Sequence, residues 1–177
     1  METIDLGNGY ILQSWKQEDA SDYVKLIQDE SIKKCLRPDT PATKDAFLDI
    51  LCGSDLVAKD HHLAVKKDEC IIGGISYIEE HSGYFELGRF WIAPQYRGNH
   101  LGEHVTKGLI FFLWQKYPEC DLYMQVVSTN QRMIDILKGF GVVEKTDKVE
   151  YRTNCDGNPF TLTYWELLHN YRILAAS

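Results

Sequence analysis

The stretch "IAPQYRGNHLGEHV", residues 92–105, ends an apolar run at Pro94 and enters helical spacing through a short loop carrying Arg97, Gly98 and Gly102. Glycine inside a helix costs roughly 0.5–1 kcal/mol relative to alanine, so two glycines at one helix start point to a job for the backbone itself. The first turn of a helix has N–H groups without intrahelical partners, and the helix dipole adds positive potential there. Small residues then let a ligand reach the main chain, so this pattern suits an anion such as a pyrophosphate. On the residues alone a second reading stands beside it: Gly98 makes a turn and Gly102 permits close helix packing. Other chemistry-bearing residue types are scattered. His61, His62, His81, His104 and His169 have no metal-ligand spacing such as H-E-x-x-H. Cys35, Cys52, Cys70, Cys120 and Cys155 contain no C-x-x-C pair. Neither a metal site nor a disulfide framework is expected, and the thiols are read as reduced.

The loop needs a strand before it and a helix after it. "GYFELGRFWIA" (83–93) supplies the strand, and Leu101, Val105, Leu109, Phe112 and Leu113 give the helix an apolar stripe that ends near Pro118. Two further strand-like runs, 61–67 and 69–80, precede it across the turn residues Lys67, Asp68 and His81, Ser82, Gly83, so the three form an antiparallel meander. Nearer the N-terminus, 10–15 reads as an edge or early strand. One or two short helices follow over 16–36, with Asp19 or Ser21 as caps, and then a helix with Phe47, Leu48, Ile50 and Leu51 bounded by Gly53. After the long helix come a strand at 121–127 and a helix at 130–141 with Met133, Ile136, Leu137 and Phe140 on one side and Gly141 as its stop. Two last strands flank "NCDGNP", whose Asp156-Gly157 is a hairpin signal. With no repeat or linker, the order predicts one domain over 1–177 of class α+β. Its α/β/α layers would hold a mixed, mainly antiparallel central sheet with helices on both faces.

Composition narrows the partners. The chain has 177 residues, 44% of them hydrophobic, and its 19 Lys+Arg against 26 Asp+Glu give a formal charge of -7. That balance disfavours nucleic acid as a partner, because neutralising phosphates requires a basic surface, and a cationic small molecule or basic peptide end is an easier one. "METIDLGNGY" has neither a basic n-region nor an apolar h-region, and no run is long enough to cross a bilayer, so a cytoplasmic protein without a membrane partner is expected.

The stretch "ELGRFWIAPQYRGNHLGEHV" resembles the core motif of the GNAT superfamily of acyl-CoA-dependent N-acyltransferases, in which a strand, a Q/R-x-x-G-x-G/A loop and a helix hold the pyrophosphate of acetyl-CoA. Arg97 takes the first place and Gly102 the last, while His100 stands where the middle glycine usually is. Its Cβ is tolerable if the backbone there is already helical and the side chain points outward. "VVSTNQRMIDILKGFGV" is similar to the family's later motif: Asn130 and Gly141 match, Met133 replaces the common alanine, and Leu137 falls where many members carry a tyrosine. That tyrosine is the usual acid for the departing thiolate, and leucine has no proton to give. "LGNGYILQSWKQEDASDYVKLIQD" also resembles the RimJ/RimL-type N-acetyltransferase branch.

The resemblance implies direct transfer of an acetyl group from acetyl-CoA, with no metal, to a primary amine on a protein N-terminus or a small molecule. It assigns the pyrophosphate to Arg97, Gly98, Asn99, His100, Leu101 and Gly102, and the pantetheine amides to the backbone of Phe90, Trp91 and Ile92. The pantetheine arm would run between strands 84–92 and 121–128, with Asn130 at its edge. Glu86 falls where many members have a catalytic glutamate that acts as base, often through water. Strand alternation would put it on the face of Tyr84, Gly88 and Phe90, and a solvent-facing charge is the competing reading. Ser128, Tyr96 and Tyr164 are substitutes for the missing acid, with Ser128 carried as the catalytic candidate; a thiol with pKa near 8.5 also leaves tolerably without one. Asp29, Glu30, Asp45 and Asp49 either line an amine entrance or form a solvated face. Two other functions stay open. One is a non-catalytic acyl-CoA-binding regulatory module, favoured by His100 and Leu137. The other is a tRNA-directed acetyltransferase, disfavoured by a pI near 5.3. A monomer or homodimer is expected.

Overall fold

A computed structural model describes residues 2–33, 36, 40–52, 60–154 and 157–168. The elements run β1 (Thr3–Gly7), β2 (Tyr10–Ser14), α1 (Ala20–Ile27), α2 (Glu30–Lys33), α3 (Lys44–Cys52), β3 (Asp60–Lys67), β4 (Cys70–His81), β5 (Tyr84–Ile92), α4 (Leu101–Lys116), β6 (Asp121–Val127), α5 (Gln131–Gly139), β7 (Val143–Thr153) and β8 (Pro159–Leu167). Eight strands form one sheet in the order β1-β2-β3-β4-β5-β6-β8-β7. Every neighbouring pair is antiparallel except β5 and β6, the pair joined by α4, because a parallel pair requires a crossover long enough to return the chain to its starting end. This is the expected mixed, mainly antiparallel sheet, and β3 to β5 form the expected meander.

Each face of the sheet is buried under helices. On one side Leu101, Val105, Leu109 and Leu113 of α4 and Met133, Ile134 and Leu137 of α5 pack on Phe85, Leu87, Leu122 and Met124. On the other, Ala20, Tyr23, Ile27, Ile32 and Phe47 from the first three helices enclose Trp15, Ala64 and Trp91. Aromatic contacts hold this second layer, with Tyr23 and Phe47 stacked at 4.1 Å and Trp15 edge-on to both.

Two expectations change and one strand is added. One edge of the sheet is β1, whose five residues bury only Ile4 and give too little pattern to read, and the run from Tyr10 is the early strand beside it. Asp19 sits before α1, but its carboxylate accepts the Lys16 amide at 2.9 Å and pairs with Lys66 at 3.2 Å instead of capping the helix. The uniform alternation expected along β5 breaks, because Gly74 and Ser76 of β4 face Trp91 and Gly88, setting Arg89 and Phe90 opposite the single residue Ile75. This is a β-bulge, with Arg89 at a φ of 49°. Gly53 and Asp156, read as a helix stop and a turn residue, lie outside the described residues, as do Cys35, Cys155 and His169.

Candidate active site

The bulge decides which side chains meet. Before it, Glu86 and Gly88 share a face with Ser76; after it Trp91 joins that face and meets Gly74, while Phe90 turns to the α4 side beneath Gly102. Glu86 and Phe90 therefore lie on opposite faces, contrary to simple alternation. Glu86 is buried at 5% exposure, which removes the solvent-facing reading. The Tyr123 hydroxyl, from the residue paired with Glu86 across the parallel strands, donates to its carboxylate at 3.3 Å. Burial first, and the Glu86 charge next, push the Tyr123 phenol well above its ordinary pKa, so it remains a donor.

Beyond Leu87 and Met124 the two parallel strands pair no further, although β5 continues to Ile92 and β6 to Val127. The gap opens into a cavity of about 720 Å³. Its walls include Phe90, Trp91, Ile92, Arg97, Gly98, Leu101, Gly102 and Asn130. The structure thus brings together eight of the residues singled out in the sequence. Asn99 and His100 lie in the same loop but do not line the cavity.

The loop itself is left-handed. Gly98, Asn99 and His100 have φ values of 106°, 46° and 57° in succession. The His100 backbone is therefore not already in the right-handed helical region, as tolerance of its Cβ was expected to require; its side chain does point outward, 89% exposed, and meets Glu103 at 3.2 Å. A non-glycine residue in this region costs about 1–2 kcal/mol, which is the physical reason to find glycine there. The turn consumes two amides internally, Arg97 to the Pro94 carbonyl and Leu101 to that of Gly98. Among the described residues no backbone acceptor takes the amides of Gly98, Asn99 or His100. Those groups, with the open end of α4, fit a bound pyrophosphate. Arg97 folds back, its Nε donating to the Ile92 carbonyl at 2.8 Å, and so ties the loop to the end of β5.

Asn130 caps α5 by accepting the Met133 amide at 3.2 Å. Ser128 is exposed and outside the cavity wall, its amide bonded to Thr161. Tyr96 is outside it as well. The Tyr164 hydroxyl donates to Glu150 at 2.8 Å and accepts from the cavity-lining Gln125 at 3.2 Å. Leu137 is buried in the core under the sheet, so no hydroxyl replaces the missing tyrosine at that place. Asp29, Glu30, Asp45 and Asp49 are exposed and do not line the cavity.

Sequence reasoning missed four groups. Arg89, thrown out by the bulge, reaches across β4 to His62 of β3, with its guanidinium 2.9 Å from Nε2. Burial first, then the Arg89 charge, lowers the His62 pKa to about 4, so the ring is neutral at physiological pH. Arg132, in the first turn of α5, and Gly88 also face the cavity. The position of Arg132 next to Asn130 was a usable signal; the other three depend on strand register, which a single sequence does not display.

Residues 10–143 match the family described as acetyltransferase (GNAT) domain. No curated protein sequence matches the chain. Solved structures share the fold at low identity. Ribosomal-protein-S5-alanine acetyltransferase from Vibrio fischeri is 12% identical with a TM-score of 0.79, covering 96% of this chain and 98% of that one. The spermidine/spermine N-acetyltransferase SpeG from Vibrio cholerae, solved in mutant forms, is 13% identical with a TM-score of 0.75, covering 97% and 100%. The self-immunity acetyltransferase MccE, solved with acetyl-CoA and AMP, is 15% identical with a TM-score of 0.75, covering 92% and 94%. With the family match spanning most of its length, the chain belongs to the GNAT acetyltransferases.

Proposed function

We propose that the protein is a cytoplasmic N-acetyltransferase that moves the acetyl group of acetyl-CoA to a primary amine, on a protein N-terminus or a small molecule, by direct attack. The observation that carries this is the parting of β5 and β6 after Leu87 and Met124, a gap that ends at the left-handed loop of Gly98, Asn99 and His100. Backbone groups of Phe90, Trp91 and Ile92 would take the pantetheine amides along the gap, and the loop amides with Arg97 and Arg132 would hold the phosphates. Acetyl-CoA supplies an activated thioester carbonyl. Buried Glu86 takes the proton that the attacking amine must lose, while Tyr123 keeps its carboxylate in place. Support for transfer to amines comes from the family and from relatives named for acetylating a ribosomal protein and polyamines.

A binding module without chemistry is the second reading, favoured by the burial of Leu137 where the acid is usual. Separate measurements of acetyl-CoA affinity and of free thiol release over a panel of amines distinguish the two. General-base assistance is worth on the order of 10² to 10⁴ in rate, so Glu86→Gln should lower kcat at least a hundredfold with acetyl-CoA affinity unchanged and partial recovery at high pH. A variant within a few-fold of the parent across pH removes the base assignment. Binding without thiol release for any amine supports the module.

A further inference from the structure

The cavity runs through the gap, and its two halves differ in character. On the α4 side the wall is Phe90, Leu101, Gly102, Met133 and Ile136, next to the loop that fits a pyrophosphate. On the other side it is Trp15, Tyr23, Phe47 and Trp91 of the second core layer, extended by Ile50 and Leu51 of α3. Trp91 shares its face with Glu86, so an amine seated in this second half approaches from the side of the base.

Four aromatic rings in mutual contact would by themselves be core. Two observations set this cluster apart. Ile50 and Leu51, with Leu36, line the cavity and are only partly buried, which leaves aliphatic surface for a ligand's apolar body to cover. Gly74 of β4 gives up a side chain to the Trp91 indole: a Cβ there would stand 2.9 Å from Trp91 Cε2 and Nε1, so a larger residue would shift the ring out of the wall. The ionisable groups of this half offer nothing to a polycation. Burial pushes the Tyr23 phenol well above its ordinary pKa, and His62 is neutral at physiological pH. The Arg89 guanidinium has the sign of an ammonium, and no carboxylate is among the described residues that line the cavity. A second ammonium brought here would lose its hydration without a described acid to replace it, whereas an aromatic or branched aliphatic body gains by leaving water.

We propose that the acceptor is a primary amine carried on an aromatic or branched aliphatic body with no second cationic group, a reading that rests on acetyl transfer to an amine. Phe47 and Trp91 seat the body, and Ile50 and Leu51 select which bodies enter.

Initial rates with acetyl-CoA test this on four acceptors: 2-phenylethylamine and spermidine as free amines, and two short peptides alike except for Phe or Lys at the N-terminus. Expected is a kcat/KM higher by roughly tenfold or more for the phenyl member, and the arm that turns over names the source of the amine. Equal values, or preference for the cationic member, in every arm that turns over overturn the proposal. Leu51→Glu puts a carboxylate into the wall. It should lower kcat/KM for the phenyl acceptors and raise it for the cationic ones with acetyl-CoA affinity unchanged, a reversal that loosened packing would not produce. A loss of equal size for all acceptors overturns the apolar wall. Calorimetry separates the proposal from the reaction on which it rests. If no acceptor releases thiol, acetyl transfer fails, yet saturable binding of 2-phenylethylamine and not of spermidine to the acetyl-CoA complex supports the apolar site; binding of neither amine overturns it.

Discussion

At the scale of single residues, the site is a set of polar groups held away from water by their neighbours. His62 shows the thermodynamic cost. Its folded pKa of about 4 lies below the ordinary value of 6.5, so below that pH the unfolded chain binds a proton that the fold refuses. Stability is therefore untouched above pH 6.5 and falls as pH drops toward 4, with a slope of at most about 1.4 kcal/mol per pH unit from this group. Proton NMR should find the His62 ring neutral at pH 5, and urea unfolding of His62→Gln should lose less stability than the parent between pH 6.5 and 4. A ring that titrates near its ordinary value would refute the assignment. The residue also marks a limit of sequence reading. Nothing in "HHLAVKK" separates His62 from His61; burial, together with the reach of Arg89 from a bulge two strands away, sets His62 apart.

At the scale of elements, the loop before α4 and the bulge in β5 depart from regular geometry, and only the first was legible. Glycines at a helix start announce an unusual backbone. A bulge at Arg89–Phe90 carries no glycine at the residue with positive φ, so alternation was extended through it and put Phe90 on the wrong face relative to Glu86. The long α4, the meander and the order of elements were readable because each repeats its pattern over many residues; β1 was not, because five residues bury too little. The left-handed φ of His100 gives a prediction at this scale. His100→Gly should relieve backbone strain and stabilise the protein by about 0.5–1 kcal/mol after the entropy of glycine is counted, which in a chain of this size raises Tm by roughly 1–4 °C. A lower Tm would show that the Glu103 contact outweighs the strain.

Over the whole molecule, charge is distributed against its average. The chain carries a formal charge of -7, yet among the described residues lining the cavity the charged ones are Arg89, Arg97 and Arg132. A basic cavity in an acidic protein draws an anionic ligand by local field rather than by total charge. Composition could suggest a cationic partner but could not reveal this inversion, which depends on where three arginines end up. Raising the ionic strength from 0.05 to about 0.5 M should therefore weaken acetyl-CoA binding severalfold, measured by calorimetry, and Arg132→Ala should flatten the dependence. Salt-independent affinity would show that the arginines do not reach the phosphates.

The parting of β5 from β6 has a consequence for the life of the protein as well as for its chemistry. A sheet interrupted in its middle leaves the facing edges of β5 and β6 without strand partners beyond Leu87 and Met124. A ligand whose own amides lie in the gap acts as the absent rung of the ladder. Occupancy and folding then become one linked equilibrium: at a hundred times Kd, a ligand that binds only the folded chain adds about 2.7 kcal/mol to its stability. A ligand seated there would thus protect the folded chain from proteolysis in proportion to its occupancy.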